Sequence, residues 1–437
     1  MTQKEALEIL KLGVNVFLTG AAGTGKTHLL NQYISFLQKH RVPIGITAST
    51  GIAATHIGGV TIDSWSGMGI RNNLTDLEVK DLEHKMYLKL RYLSTKVLII
   101  DEVSMLSAQK LDLLDRICQS MRGNSIPFGG MQIVLCGDFF QLPPVQRDGE
   151  KADFIFKSWT WHNSDIKICY LSEQFRQKDL DYINLLNSLR KNAVTNHELN
   201  LLAKSLNQIL STKINPTKLY THNIDVDAIN LEELQKINSQ LISFQMTSTG
   251  IPTLVDALKK NCLVPNILEL KKGALVMFVK NNRRKGYVNG TQGKIIGFKH
   301  ELPVVETLER EKILVEQESW SIVENNKIKA EIRQLPLRLA WAITVHKSQG
   351  MTLDLAEIDL SKAFVKGMGY VALSRLKSFQ GLRLLGINNL ALQVNPEIAI
   401  LDVSFQKLSE QETHRLLAMT WWQKTMEKRK FLYKLTS

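Results

Sequence analysis

Eight residues near the start of the chain, Gly20-Ala21-Ala22-Gly23-Thr24-Gly25-Lys26-Thr27, have the types and order needed to hold a triphosphate. The glycines let backbone N–H groups turn inward around phosphate oxygens, at a helix N-terminus whose dipole favours negative charge. Lys26 can reach the β- and γ-phosphates, and the Thr27 hydroxyl suits Mg²⁺. A second set of side chains completes a hydrolytic site. Asp101 and Glu102 end the apolar run Val97-Leu98-Ile99-Ile100. Asp101 is expected in the Mg²⁺ shell, and Glu102 as the base that takes a proton from the attacking water. Gln141 follows a third apolar run and is suited to sensing the γ-phosphate, because an amide both donates and accepts.

Positioning these groups requires strands that end where they lie. Val14 to Thr19 reads as a strand directly before the phosphate loop, and Leu29, Leu30, Tyr33, Ile34 and Leu37 recur at helical spacing after it. The runs at 97–100 and 131–136 read as buried parallel strands, whose carboxyl ends are where ligands sit in open α/β sheets. The expected fold is α/β, with a first unit over residues 1–170 interrupted by a polar insertion at 66–94. A second unit, lacking a phosphate loop, is expected over 171–285 and 334–404. Glycine-rich turns and short strands at 286–333 suggest a small β-barrel inserted in it. Residues 405–437 read as a helical tail, basic near Lys428-Arg429-Lys430.

Composition narrows the partners. The 437 residues carry 55 Lys+Arg against 42 Asp+Glu, a net charge of +13 that favours an anionic polymer such as nucleic acid. Cys118, Cys136, Cys169 and Cys262 lie far apart without a C-x-x-C pair, which argues against a zinc finger and for reduced thiols in an intracellular compartment. The first strand follows the N-terminus too closely for a signal peptide, and no apolar run reaches membrane-spanning length. The expected setting is intracellular, cytoplasmic or nucleoid if bacterial, with no membrane partner.

Several longer motifs carry a family resemblance. Besides the phosphate loop they are TASTGIAA at 47–54, VTIDSW at 60–65, IDEVSM at 100–105, PFGG at 127–130 and CGDFFQLPP at 136–144. Later come LSEQFRQ at 171–177, QLPLRLAWA at 334–342, HKSQGMTL at 346–353 and YVALSR at 370–375. In this order they make the chain similar to the superfamily-1 DNA helicases of the Pif-one (petite integration frequency) family. The resemblance implies two RecA-like lobes with ATP and Mg²⁺ in the cleft, an SH3-like insertion, and 5′→3′ movement on single-stranded DNA. It implies that Arg176 and Arg375 reach the γ-phosphate from the second lobe, where a permanent charge and planar fork match phosphate oxygens. It places nucleotide contacts at Gln3, Gly20, Ala22, Gly23, Thr24, Gly25, Lys26, Thr27, His28, Gln349 and Gly350, although Gln3 lies almost at the terminus.

By the same resemblance, single-stranded DNA contacts fall on Thr50, His56, Ser64 and Trp65 in the first lobe and on Thr344, His346, Lys347 and Ser348 in the second. Hydroxyls, amides and lysines suit phosphates, and rings offer stacking platforms. A strand-separating wedge is expected within residues 66–91. The expected partners are single-stranded and forked DNA bound by a monomer, with G-quadruplexes and RNA–DNA hybrids left open. The resemblance implies processes of DNA repair, recombination and telomere maintenance, without singling out one. Two rival readings stand beside a DNA motor: a nucleotide-gated clamp that does not move, and an ATPase acting on RNA.

Overall fold

Strands β1 (Val16–Gly20), β2 (Ile44–Ala48), β3 (Val60–Thr61), β4 (Val97–Asp101), β5 (Gln132–Cys136) and β6 (Lys167–Leu171) form one parallel sheet in the order β3-β2-β4-β5-β1-β6. β1, β4 and β5 are buried along their whole length, as continuous apolar runs must be when helices cover both faces. They are also neighbours, with Leu18 beside Cys136 and Ile100 beside Leu135. At about 4.8 Å per strand step, the carboxyl ends of all three lie within roughly 10 Å. The structure, a computed structural model, describes all residues except 70, 72, 145–152, 178, 207, 209–215, 221–225, 325–326, 346–347 and 437.

The second sheet is also parallel, with strands Ala342–Thr344, Thr217–Tyr220, Ala356–Leu360 and Leu382–Ile387 in that spatial order. Between its strands the chain builds antiparallel structure over a wider span than residues 286–333. Leu241–Gln245 pairs with Ile267–Lys271, and Thr247–Gly250 with Lys327–Gln334. Leu275–Phe278, expected in the second lobe, pairs antiparallel with Gln292–Lys299 and Leu337–Leu339. Its four residues are all buried, so periodicity could not separate it from a central parallel strand.

The C-terminal segment is not a free tail. Helix Pro396–Ala418 lies on β6, where Ser409 Oγ accepts from the Tyr170 N–H at 2.9 Å. Phe405 enters the first-lobe core, its ring centroid 5.4 Å from Phe17 and 6.2 Å from Phe139. Within 66–94, helices Asp76–Glu83 and Met86–Ser94 pack through Leu82, Leu88 and Tyr92. No helix among the described residues is long and apolar enough to cross a membrane.

Candidate nucleotide site and nucleic-acid face

β1 delivers Gly20 to the phosphate loop, and the loop ends at α2 (Lys26–Lys39). Gly23 and Gly25 have φ of +91° and +80°, and a Cβ on either would collide with packed neighbours: Gln174 and Arg176 at Gly23, Gln3 at Gly25. Lys26 Nζ donates to the carbonyls of Gly20 (2.8 Å) and Ala21 (3.0 Å), so the cation sits inside the loop. Thr24 lies buried in the loop, its hydroxyl donating to the Ala21 carbonyl at 2.9 Å. His28 is exposed on α2, its ring nitrogen 3.0 Å from Gln32 Nε2, so only its backbone amide faces the phosphate end.

Gln3 is anchored despite its position. Helix α1 (Gln3–Lys11) begins with a capping box between Thr2 and Glu5, and the N-terminal amino group donates to the Tyr170 carbonyl at 2.8 Å. Gln3 Nε2 then donates to the Thr24 carbonyl at 3.0 Å, which sets its amide against the loop.

Asp101 is buried at the end of β4, where Oδ1 accepts the Glu102 N–H at 2.8 Å. Burial raises its pKa, opposed by hydrogen bonds from Cys136 and Glu102 and by the Lys26 charge. Glu102 turns into the left-handed region, φ +52° and ψ +44°, a conformation that costs a non-glycine residue energy and aims its side chain at the cleft. Burial first, and the Asp101 charge second, push its carboxyl up to about 7. Gln349, from the second lobe, donates to Glu102 Oε2 at 3.0 Å and to Gln141 Oε1 at 3.3 Å. Thr27, Asp101, Glu102, Gln349 and Gly350 line one pocket of about 200 Å³.

The two arginines meet at Ser374. Arg176 Nη1 donates to its carbonyl at 2.8 Å, and Arg375 Nη2 to its hydroxyl at 2.8 Å. Burial, then the neighbouring Arg375 charge, lowers Arg176 to about 9. Burial also lowers Arg375, with Glu102 opposing the shift. The segment carrying Arg176 rests on the phosphate loop itself, through Phe175 N–H to the Gly23 carbonyl (3.0 Å) and Gln174 Nε2 to the Ala22 carbonyl (3.0 Å).

A buried network absent from the sequence-derived site joins these parts. Tyr370 Oη accepts from the Ala22 N–H and from Arg190 Nη1, both at 3.0 Å, and donates to Asp138 Oδ2 at 3.2 Å. Arg190 Nη1 also reaches both Asp138 oxygens, at 2.9 and 2.8 Å, and Nη2 reaches Asp402 at 3.0 Å. Asp138 and Tyr370 stand within quoted motifs, but Arg190 stands in none, so only contact reveals it.

The expected nucleic-acid residues divide. Thr50 caps α3 (Gly51–His56) through the Ala53 N–H, and Ser64 is exposed. His56 ends that helix, its Nε2 accepting from Asn289 Nδ2 at 3.2 Å, and burial lowers its pKa to about 4. Thr344 ends its strand, nearly buried. His346 and Lys347 lie outside the described residues. Trp65 is not a stacking platform: it is 3% exposed and packs against Tyr92 at 4.8 Å and over Gly45. Ser348 is fully buried and spends its hydroxyl on the Val345 carbonyl at 2.7 Å, so it shapes a turn instead of meeting phosphate. Asn281 and Asn289, from the antiparallel insertion, line the same pocket as Thr50, His56 and the acidic pair. Helix Pro252–Asn261 packs over α3.

This geometry has close counterparts. A PIF1-like helicase family model matches residues 2–211, and one for the DNA helicase Pif1 2B domain matches 253–298. The chain is 44% identical to the ATP-dependent DNA helicase Pif1 of Psychrobacter sp., covering 94% of this chain and 71% of the relative. It spans 59–62% of the length of the vertebrate relatives, including 62% of the human protein at 36% identity. A Bacteroides Pif1 structure in complex with ADP-AlF4 superposes with a TM-score of 0.76 at 30% identity, over 93% of this chain and 96% of that one. A Bacteroides Pif1 bound to single-stranded DNA gives 0.59 at 31% identity, over 94% and 97%. With the phosphate loop, acidic pair and paired arginines all present in one cleft, this chain belongs to the PIF1-like helicase family.

Proposed function

We propose that this protein is an ATP-dependent DNA helicase that moves 5′→3′ on single-stranded DNA and separates duplex ahead of it. The observation that carries the reading is the single cleft in which Glu102 and Gln141 of the first lobe meet Gln349 of the second, with Arg176 and Arg375 alongside. Hydrolysis and lobe closure then share the same residues.

The phosphate loop and Lys26 would hold the triphosphate, and Gln3 its base. The donor set fits Mg²⁺: one hydroxyl, Thr27, and one carboxylate, Asp101, leave its other positions to phosphate and water. Among the described residues no cluster of three or more acidic, histidine or cysteine groups offers an all-protein metal cage instead. Bound there, Mg²⁺ would supply positive charge to the triphosphate. Glu102, with a carboxyl poised near neutrality, takes the proton of the attacking water. Arg176 and Arg375 neutralise the charge that builds on the transferring group. Both arginines and both acids belong to one chain, which supports a monomer as the hydrolysing unit.

Single-stranded and forked DNA are the partners this reading takes. Helix Pro252–Asn261 packs on α3, the helix that Thr50 caps and His56 ends, and a strand running along α3 would displace it. Met86, Tyr87 and Leu90, exposed on one helix of the insertion, support a wedge there. The test is strand separation on a partial duplex bearing a 5′ or a 3′ single-stranded tail, with ATP and Mg²⁺. Unwinding from the 5′ tail alone is expected. Unwinding from the 3′ tail overturns the direction, and hydrolysis without unwinding from either tail reduces the protein to a translocase or gated clamp.

A further inference from the structure

The C-terminal helix Trp421–Thr436 is held by one face and displays the other. Phe431 and Leu435 are buried in the first-lobe cluster that includes Ala6, Ile9 and Leu10. The Phe431 ring fits because Gly13, at φ +81°, has no Cβ to meet it. Lys428 Nζ lies 5.1 Å from the Phe36 ring centroid. These anchors recur at spacings of three and four, so they fix the rotation of the helix.

The stripe that consequently faces outward is Trp422, Met426, Arg429 and Tyr433, at the same helical spacing. Trp422 is 71% exposed and Tyr433 76%. Trp421, beside them, packs edge-to-face on Trp422 with centroids 4.9 Å apart. Of seven exposed aromatic side chains among the described residues, three fall on this one helix. The concentration sets it apart from scattered surface apolar residues.

Charge accompanies the rings. The helix carries Lys424, Lys428, Arg429, Lys430 and Lys434 against one acid, Glu427. Beside it runs a groove of about 600 Å³ in which Lys96, Arg122, Lys430 and Lys434 outnumber Asp165 and Glu427. The groove is lined by Val14, Lys96 and Gln132, at the amino ends of β1, β4 and β5, whereas the phosphate loop and acidic pair lie at their carboxyl ends. A five-residue strand spans about 17 Å, so this surface is separate from the cleft.

We infer that this helix and groove form a second binding site for single-stranded nucleic acid. The lysines track phosphates while Trp421, Trp422 and Tyr433 stack unpaired bases, the combination that holds single strands without sequence preference. Duplex DNA presents no base faces to such rings. A lipid surface would require an apolar stripe that Arg429 interrupts. Binding here needs no hydrolysis, so the inference stands apart from the motor reading.

The experiment compares the full chain with the Trp421→Ala/Trp422→Ala double variant, using labelled oligothymidylates of about 12 and about 40 nucleotides, the shorter able to fill one site only. The variant is expected to bind the longer strand about tenfold or more weakly, with affinity for the shorter strand and the ATPase it stimulates unchanged. Arg429→Glu/Lys434→Glu, a purely surface change, is expected to give the same length-selective loss. Equal affinity of parent and variants for the longer strand overturns the site, as does an equal loss on both lengths. A parent that self-associates beside monomeric variants, with DNA affinities unchanged, overturns it in favour of docking by a second copy.

Discussion

Gln349 Nε2 donates to Glu102 Oε2 at 3.0 Å across the cleft, while the same amide reaches Gln141 at 3.3 Å. The second lobe therefore holds the proposed base directly. A carboxyl raised to about 7 accepts a proton only after it ionises, so kcat/KM for ATP is expected to fall as pH drops through about 7 and to level off above it. An amide donor stabilises the ionised form, so Gln349→Ala should move this acid limb to higher pH. Glu102→Gln should remove the limb altogether and lower kcat by about a hundredfold or more, with nucleotide still bound. A profile flat from pH 6 to 8 in the parent enzyme would count against Glu102 as base.

Arg375, proposed to meet the transition state, lies where its charge already depresses its neighbour Arg176. Arg375→Ala should reduce kcat by about a thousandfold, the scale of an arginine that meets a transferring phosphoryl group. Affinity for a non-hydrolysable nucleotide should change by far less. Steady-state turnover alongside equilibrium binding separates the two, and unchanged turnover would remove Arg375 from the chemistry.

Arg190 and Tyr370 hold Asp138 beneath the phosphate loop. Arg190→Gln leaves a buried carboxylate without its cation, an expected loss of about 3–5 kcal/mol in denaturant unfolding. Asp138→Asn in that background should recover part of it, as a double-mutant cycle reads. Tyr370→Phe keeps the ring but deprives the Ala22 N–H of its acceptor, a cost of about 1–3 kcal/mol for a buried donor. Because that bond spans the lobes, kcat should fall about tenfold with KM little changed, and rescue of turnover by the ring alone would restrict Tyr370 to packing.

Trp65 belongs to the core, so Trp65→Ala should cost about 3–5 kcal/mol of stability. The folded fraction should bind single-stranded DNA with parental affinity. Trp65→Phe should recover most of the stability, and a selective loss of DNA affinity in that variant would restore the stacking role.

Asn289 ties His56 to the insertion through one hydrogen bond of 3.2 Å. Opening the nucleic-acid face must break it, at a net cost of about 1 kcal/mol. Asn289→Ala should therefore tighten single-stranded DNA binding about fivefold, read by fluorescence anisotropy without nucleotide; weaker binding would identify Asn289 as a DNA contact instead.

The phosphate loop, Asp101, Glu102 and Gln141 were legible from the chain alone because each follows an apolar strand, and turn geometry there is a local property of a few residues. Their convergence was legible too, since parallel strands in an α/β sheet present their carboxyl ends on one edge. Gln3, almost at the terminus, is held because Thr2 and Glu5 cap its helix. Other features were decided only by the tertiary structure. Tyr370 meets Ala22 across 348 positions, and Arg190 meets Asp138 across 52, with no pattern in either segment announcing its partner. Leu275–Phe278 left the second parallel sheet for an antiparallel one, and helix Pro396–Ala418 returned to the first lobe. Trp65 and Ser348 turned inward. Backbone dihedrals and strand ends respond to neighbours along the chain, whereas the partner of an apolar face or buried charge is chosen by the packing of the whole molecule.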